Sequence, residues 1–233
     1  MLGQHGRGVT RAIFTAPARG LAALGVRPNH VTIVGTATTV VLSFTMLATG
    51  HWAAGAIALG VVLFADSLDG TLARLTGSTS TFGSFLDSTL DRLGDAAVFG
   101  ALVFSIATET MPRARSVPDW MVTWLLVTMI ATLAGAAAVP YARAKAESLG
   151  ISASVGIAER TDRLVITLVA AGFYGFGLTV WLPLVAFTWV AVASWITVAQ
   201  RIAVVKRSLD ATDTTPTENA TVATVTPGRG ASS

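Results

Sequence analysis

Five aspartates interrupt two stretches of otherwise apolar sequence. Asp66 and Asp69 are three residues apart, and Asp87, Asp91 and Asp95 follow at intervals of four. On α-helices these spacings place each group on a single helix face. Ionisable side chains at membrane depth are costly, so they are candidates for function. We assign Asp95 a mostly structural role, as the partner of Arg92 or of another basic residue nearby.

The short linker at residues 75–81 predicts that the two aspartate-bearing helices are antiparallel neighbours with facing carboxylates. Four such carboxylates cannot all stay ionised near a bilayer without countercharge, and Arg74 and Arg92 are too few to supply it. All-oxygen ligation favours magnesium or manganese over zinc. Two metals bridged by carboxylates support in-line displacement at phosphorus. Gly70 and Gly83 leave room for the close approach of backbone or substrate.

The composition shows which kind of molecule must position these groups. The chain has 233 residues, of which 52% are hydrophobic and 12% charged, and its net charge is +3. Soluble domains carry about a quarter charged residues, and one of this size could not bury so much apolar surface. The absence of cysteine excludes disulfides and thiolate metal sites. The net charge is too small to indicate nucleic-acid binding. We therefore predict an all-α membrane protein.

Three uncharged stretches, residues 31–65, 120–142 and 164–200, supply most of the predicted spans. A spanning helix needs roughly 20 apolar residues. The first and third stretches can each hold two helices, because each has a turn signal near its middle. A further helix must begin near Phe82 and include the aspartates that follow. The sequence thus predicts six transmembrane helices, near residues 31–49, 53–75, 82–107, 120–146, 161–177 and 182–206.

Lysine and arginine are concentrated at the termini and in alternate loops, whereas the opposite side has only Arg113 and Arg115. By the positive-inside rule, both termini and the aspartate site face the cytoplasm, and the chain is a multi-pass protein of the cell membrane. Residues 1–28 are expected to form an amphipathic juxtamembrane segment at the interface. Residues 29–207 form the six-helix domain, and residues 208–233 a disordered tail.

Two further expectations concern helix ends. Asn29 is the expected N-cap of the first span. Trp52, Trp120 and Trp181 are expected at the membrane interface on the outer side.

The stretch that begins at Asp66 reads D-x2-D-G-x2-A-R-x8-G-x3-D-x3-D. It resembles the signature of the CDP-alcohol phosphotransferases, and every fixed position of that signature is filled. The resemblance covers residues 8–207 and not the tail. It implies that a CDP-linked lipid binds beside two metal ions, that an acceptor hydroxyl attacks the β-phosphorus, and that CMP leaves.

The resemblance also implies roles for single residues. Asp66, Asp69 and Asp87 would hold one Mg²⁺, and Asp66, Asp87 and Asp91 a second, with Mn²⁺ as the alternative metal. Asp91 would also be the general base. The residues expected to bind CDP-diacylglycerol are Asn29, His30, Val31, Thr32, Gly70, Arg74, Ser80 and Gly83. Among these, Arg74 would counter the pyrophosphate charge.

A second basic group lies near the cytoplasmic ends of the last three predicted spans: Arg143, Lys145, Arg163 and Arg201. Long basic side chains at helix ends can simply reach the headgroups. We favour a pocket for a phosphorylated acceptor, because these residues lie at the level of the aspartates. Such a pocket would fit inositol phosphate or glycerol 3-phosphate and would disfavour serine, choline and ethanolamine as acceptors.

Residues 28–32, 141–147 and 156–163 look like the corresponding segments of the actinobacterial phosphatidylinositol phosphate synthases. That resemblance implies transfer of the phosphatidyl group of CDP-diacylglycerol to 1D-myo-inositol 3-phosphate by a homodimer. The nearest alternative is a phosphatidylglycerophosphate synthase, with glycerol 3-phosphate as acceptor. An alternative of another class is a divalent-cation transporter or channel with the aspartates along its path. A third is a catalytically inactive lipid-binding scaffold.

Overall fold

The structure is a computed structural model that describes residues 28–65 and 80–213. These residues form helices, turns and irregular loops, and they include no β-strand. The all-α prediction is thereby confirmed for the described part of the chain. The helices, in chain order, are α1 (Pro28–Leu42, continued by a π-helical turn at Ser43–Leu47), α2 (Trp52–Ala65), α3 (Thr81–Ala107), α4 (Asp119–Ser148), α5 (Arg160–Gly175) and α6 (Trp181–Asp213). A 3₁₀ turn at Ala114–Ser116 precedes α4.

Three of the described helical segments are long and apolar enough to cross a membrane: Asn29–Leu47, Asp119–Ser148 and Trp181–Ala211. Helix α2 is apolar but shorter. Large apolar side chains such as Val34, Phe44 and Val185 point away from the core, with 64%, 52% and 63% of their surface exposed. A surface this apolar suits lipid rather than water. These helices are those of a membrane protein.

The core lies between the helices and contains fully buried Phe99, Leu102, Leu125, Met129 and Phe187. Helix α4 packs along α6, while α3 packs against α1 and α4. These pairings hold α3, which carries three of the aspartates, between α1 and α4.

The described part of α2 packs mainly against α5. The linker and the aspartate-bearing end of the second span, on which the expected antiparallel pairing with α3 depends, lie outside the described residues. Two glycines of α5 explain the choice of partner. A Cβ atom on Gly175 would lie 2.4 Å from the backbone nitrogen of Ala53, and one on Gly172 would lie 2.9 Å from the Cβ of Ala56. Only glycine lets these two backbones approach so closely.

Trp52 was expected to face the membrane interface, but its side chain packs inside the bundle. The side chain is fully buried, and its Nε1 donates to the carbonyl of Leu47 at 3.1 Å and to Oγ of Ser105 at 3.0 Å. A buried indole needs such a partner for its N–H. Trp120 and Trp181, in contrast, are exposed and form an edge-to-face pair with ring centroids 6.2 Å apart.

Helix α1 begins at Pro28, so Asn29 lies within the first turn and is not the N-cap. Proline suits the first helical position because its missing N–H would have no helical partner there. Helix α6 continues to Asp213, so residues 208–213 are helical and not part of a disordered tail. Ser208 supports this extension by donating a hydrogen bond to the carbonyl of Val204 at 3.0 Å.

Several predicted features lie outside the described residues. They are the amphipathic segment before α1, the continuation of the second span beyond Ala65, and the chain after Asp213.

Candidate active site

Helix α3 presents Asp87, Asp91 and Asp95 at successive turns. Ser80 caps the helix, since its Oγ accepts a hydrogen bond from the backbone N–H of Gly83 at 2.9 Å. Asp87 and Asp91 are half-buried, while Asp95 is only 2% exposed. The aspartates therefore lead from an accessible surface into the core of the bundle.

The other predicted metal ligands, Asp66 and Asp69, lie outside the described residues, as do Gly70 and Arg74. Within residues 28–65 and 80–213, no three His, Asp or Glu side chains come together in a way that could hold a metal. The described donors that could contribute to a metal site are the carboxylates of Asp87 and Asp91. Oxygen donors of this kind suit Mg²⁺ or Mn²⁺.

A protein cation already lies against one of these carboxylates. Nη1 of Arg160 is 2.9 Å from Oδ1 of Asp91, and Nε of the same guanidinium is 2.9 Å from Oδ1 of Asp95. Asp91 thus lies where a positive charge is accommodated, and in this respect the residues present fit a bound cation.

Arg163 completes the charge network below the surface. Its side chain is buried, with Nη2 3.6 Å from Oδ2 of Asp95 and Nη1 donating to the carbonyl of Ala158 at 3.1 Å. Asp95 therefore has the basic partners that its structural role requires, but they come from α5. Burying these charges is tolerable only because they are paired.

The start of α5 places Arg160 and Arg163 through its local sequence. Glu159 and Asp162 form a reciprocal capping box. The side chain of each residue accepts a hydrogen bond from the backbone N–H of the other. Because Arg160 and Arg163 are three residues apart, they share the helix face that meets α3.

A cavity of about 310 Å³ lies beside this network, between α3, α4, α5, α6 and the loop that precedes α5. Its basic lining residues are Arg92, Arg143, Arg160, Arg163 and Arg201. A cavity with so many guanidinium groups suits a phosphate or another multiply charged anion.

The predicted acceptor residues contribute to this cavity in different ways. Arg143 is half exposed and pairs with Glu147 through an Nε–Oε1 contact of 2.8 Å. Arg201 donates from Nε to the carbonyl of Val155 at 3.0 Å and from Nη1 to the carbonyl of Val139. Arg201 thus ties the loop before α5 to α4 and α6.

Lys145 is exposed and does not line the cavity. Sequence reasoning did not assign Arg92 and Arg160 to the cavity. Arg92 follows Asp91 directly, and Arg160 follows the capping residue Glu159. These neighbours are the features in the sequence that could have indicated the two arginines. The pairing of Arg160 with α3, however, depends on packing between helices that are distant in sequence.

Three of the predicted nucleotide-binding residues come together where α1 and α3 begin. A Cβ atom on Gly83 would lie 3.1 Å from Oγ of Ser80 and 3.3 Å from Oδ1 of Asn29. Thr32 is buried one turn along α1, whereas His30 is exposed and Val31 is intermediate. The absence of a side chain at Gly83 keeps this corner open.

A narrow cavity of about 30 Å³ connects the elements around Asp91. It is lined by Leu63 of α2, Asp91 and Gly94 of α3, and Arg160 of α5, among others. Leu63 precedes Asp66 by three residues, so the end of the described part of α2 approaches the level of Asp91.

An apolar helical bundle with half-buried carboxylates beside a basic cavity has the features of a membrane enzyme that acts on phosphate-bearing substrates. Residues 26–199 match the model of the CDP-alcohol phosphatidyltransferase family, and the chain belongs to that family.

Individual relatives are similar over most of their length. Phosphatidylinositol phosphate synthase from Mycobacteroides abscessus is 39% identical over 213 residues, which cover 91% of this chain and 92% of the relative. Archaetidylinositol phosphate synthase from Pyrococcus horikoshii is 40% identical over 191 residues, which cover 82% of this chain and 89% of that protein.

The fold is also that of a solved structure. Crystal structures of phosphatidylinositol phosphate synthase from Mycobacterium tuberculosis share 35% sequence identity with this chain, with a TM-score of 0.74. The match to the structure with CDP-DAG bound covers 83% of this chain and 94% of the crystallised chain. The match to the structure in complex with manganese and citrate covers 83% of this chain and 88% of the crystallised chain.

Proposed function

We propose that this phosphatidyltransferase moves the phosphatidyl group of CDP-diacylglycerol to 1D-myo-inositol 3-phosphate, giving phosphatidylinositol phosphate and CMP. The observation that carries the proposal is the basic cavity beside Asp91, in a chain similar over most of its length to phosphatidylinositol phosphate synthases. The archaetidylinositol phosphate synthase supports the same acceptor. Its name differs from that of the phosphatidylinositol phosphate synthases in the lipid part and agrees in the inositol phosphate part.

In the proposed reaction, Asp91 takes the proton of the acceptor hydroxyl. The hydroxyl oxygen forms a bond to the β-phosphorus of CDP-diacylglycerol, and the bond between that phosphorus and CMP breaks, with CMP taking the electron pair. Asp91 suits this task because its carboxylate is half-buried on a rigid helix and borders a cavity.

Asp66, Asp69, Asp87 and Asp91 are the proposed ligands of two Mg²⁺ ions, with Mn²⁺ as the alternative. Bound divalent cations stabilise charge on the transferring phosphoryl group as Lewis acids. The manganese complex of the Mycobacterium tuberculosis relative supports a metal requirement.

The proposed nucleotide site lies where α1 and α3 begin, next to the aspartates. It is built from Asn29 to Thr32, Gly70, Arg74, Ser80 and Gly83. The convergence of Asn29, Ser80 and Gly83 supports this assignment.

The proposed acceptor site is the basic cavity. Arg143 is best placed for direct contact with a phosphate, because it is accessible and its partner Glu147 is exposed. Arg163 and Arg201 shape the cavity through their bonds to Asp95 and to backbone carbonyls. Lys145 lies outside the cavity, where it can attract an anion only at longer range.

We also propose the arrangement in the membrane. All six helices belong to the membrane domain, which begins near residue 29, and both termini and the active site face the cytoplasm. The protein acts as a homodimer in the cell membrane.

The experiment is a CMP-release assay with the purified chain, CDP-diacylglycerol, Mg²⁺ and a panel of acceptors. We expect release with inositol 3-phosphate. Release with glycerol 3-phosphate alone would identify a phosphatidylglycerophosphate synthase instead. Divalent-cation flux into proteoliposomes without CMP release would support the transporter alternative and exclude the enzyme.

A further inference from the structure

Arg160 joins two carboxylates of α3 through one guanidinium group. Its Nη1 is 2.9 Å from Oδ1 of Asp91, and its Nε is 2.9 Å from Oδ1 of Asp95. The two aspartates are one helical turn apart, so a planar, rigid guanidinium can contact both at once. This contact places a protein cation on the carboxylate to which the proposed function gives the role of base.

The two contacts of Arg160 lie in different environments. The side chain of Asp95 is 3% exposed and that of Asp91 is 22% exposed. A buried carboxylate that loses its partner is strongly disfavoured, whereas Asp91 can exchange its partner for another cation from the adjoining space. Arg163, itself buried, holds Asp95 from the other side at 3.6 Å. The Nε contact is therefore the fixed one, and the Nη1 contact is the exchangeable one.

Arg160 also lies between two spaces. It lines the narrow cavity that contains Asp91 and the larger basic cavity that Arg143 and Arg201 also line. Arg160 therefore borders both the space beside Asp91 and the space that an anion would occupy.

We propose that Arg160, anchored by Asp95, holds the place of a divalent cation at Asp91 in the metal-free protein and releases Asp91 when the cation binds. This inference rests on the assignment of Asp91 as a metal ligand in the proposed function. In this proposal Arg160 is a positioning residue. It compensates the charge of Asp91 and orients the Asp91 carboxylate until the divalent cation binds.

The test measures Mn²⁺ binding to the purified full chain in detergent, without substrates, from the electron paramagnetic resonance signal of free Mn²⁺. Arg160→Gln removes the competing cation, so we expect its Kd for Mn²⁺ to fall about fivefold or more. Arg207→Gln is the matched control, because it removes the same charge from an exposed position near the end of α6. We expect its Kd to equal that of the wild type.

Arg160→Lys distinguishes the direct contact with Asp91 from the effect of a positive charge nearby. The ammonium keeps the charge but cannot bridge both carboxylates as the planar group does. We expect it to stay with Asp95, which gives a Kd between those of the wild type and Arg160→Gln. A lysine variant that binds like the wild type would show that only the distant charge matters and would overturn the proposal.

Unchanged or weaker Mn²⁺ binding by a folded Arg160→Gln variant would overturn the proposal as well. Thermal unfolding in the same detergent shows whether each variant is folded. If the glutamine variant does not fold, the lysine variant decides alone, since tighter binding supports the proposal and unchanged binding overturns it. The readout does not depend on CMP release, so a wrong acceptor assignment would leave this result intact.

Discussion

Asp91 combines accessibility with fixed geometry, the two properties that a general base needs. Its helix is capped by Ser80, and its side chain is half-buried on that helix. Proton transfer by a positioned side chain contributes about 10²–10⁴ to a rate. A carboxamide at this position cannot accept the proton, although its size and shape are nearly those of the acid.

We therefore expect Asp91→Asn to lower the rate of CMP release by about 10²-fold or more, while CDP-diacylglycerol binding changes little. Turnover and equilibrium binding of the labelled lipid are measured on the same preparation. Asp119→Asn is the control, because Asp119 is exposed at the start of α4. A folded Asp91→Asn variant with wild-type turnover would remove Asp91 from the role of base.

Arg143 offers the cleanest test of the acceptor cavity, because its only ion pair recorded among the described residues is the exposed one with Glu147. Exposed helix pairs contribute little to stability. A charge-assisted hydrogen bond to a ligand is worth about 1.5–3 kcal/mol. The effect of removing this side chain should therefore fall on binding and not on folding.

For Arg143→Gln we expect the KM for the phosphorylated acceptor to rise about tenfold, which corresponds to about 1.4 kcal/mol. The KM for CDP-diacylglycerol and the unfolding temperature should change little. Arg207→Gln again controls for the lost charge. An unchanged acceptor KM would indicate that Arg143 serves only the membrane headgroups.

At the scale of elements, the loop before α5 is held tightly against α6. The backbone N–H of Ile157 donates to Oγ1 of Thr197 at 3.2 Å, and Arg201 donates to the carbonyl of Val155. Gly156 lies between them with φ +151°, and an added Cβ would be 2.4 Å from Cγ2 of Thr197. Glycine is required both by its backbone angle and by this close approach.

Gly156→Ala should displace the loop, lower the stability by about 1–3 kcal/mol and raise the acceptor KM, because the loop lines the basic cavity. Thermal unfolding and acceptor kinetics measure the two effects. Gly150→Ala is the control, since Gly150 also has a positive φ of +76° but has no heavy atom near its added Cβ. We expect it to lower stability through strain but leave the acceptor KM unchanged.

The double variant Gly156→Ala/Thr197→Ser tests the same contact from the other side. Serine removes the methyl group that meets the new Cβ and keeps the hydroxyl that Ile157 uses. We expect partial recovery of stability relative to Gly156→Ala alone. No recovery would show that backbone strain, and not the contact with α6, requires the glycine.

Considered as a whole, the molecule shows which features a local pattern can predict. Helix α3 was predicted at residues 82–107 and spans Thr81–Ala107, because polar and turn-forming residues mark its ends. The pairing of Arg160 with Asp95 joins residues 65 positions apart and follows from the contact between α3 and α5. Trp52 reads as an interfacial aromatic in sequence, yet the turn before it directs the ring into the core.

The predicted acceptor residues also show that local sequence predicts some features, while tertiary contacts determine others. The spacing of charges predicted that Arg143 and Arg201 lie near one another, and both line the basic cavity. Arg201 is the less accessible of the two, because it donates hydrogen bonds to the backbone carbonyls of Val139 and Val155. The positions of those carbonyls cannot be predicted from a pattern of side chains. Chemistry that needs a cluster of like charges is thus visible in sequence, whereas the partners that hold each charge are set by tertiary packing.

The direction of the chain in the membrane is the remaining property of the whole molecule, and α4 allows a direct test. This helix has 30 residues and is about 45 Å long, enough to place its ends on opposite sides of a bilayer. Ser116 lies just before its start and Ser148 at its end, and both are exposed. The chain has no cysteine of its own, so single cysteines report without background.

We expect Ser148→Cys to react with a membrane-impermeant maleimide only when the cytoplasmic face is accessible, and Ser116→Cys to react from outside on intact cells. The physical reason is the concentration of lysine and arginine on the side of Ser148. Labelling of both positions in intact cells and in inverted vesicles, with CMP release as the check on folding, measures the orientation. The reverse pattern would place the aspartates on the outer face, where a cytoplasmic CDP-linked substrate could not reach them.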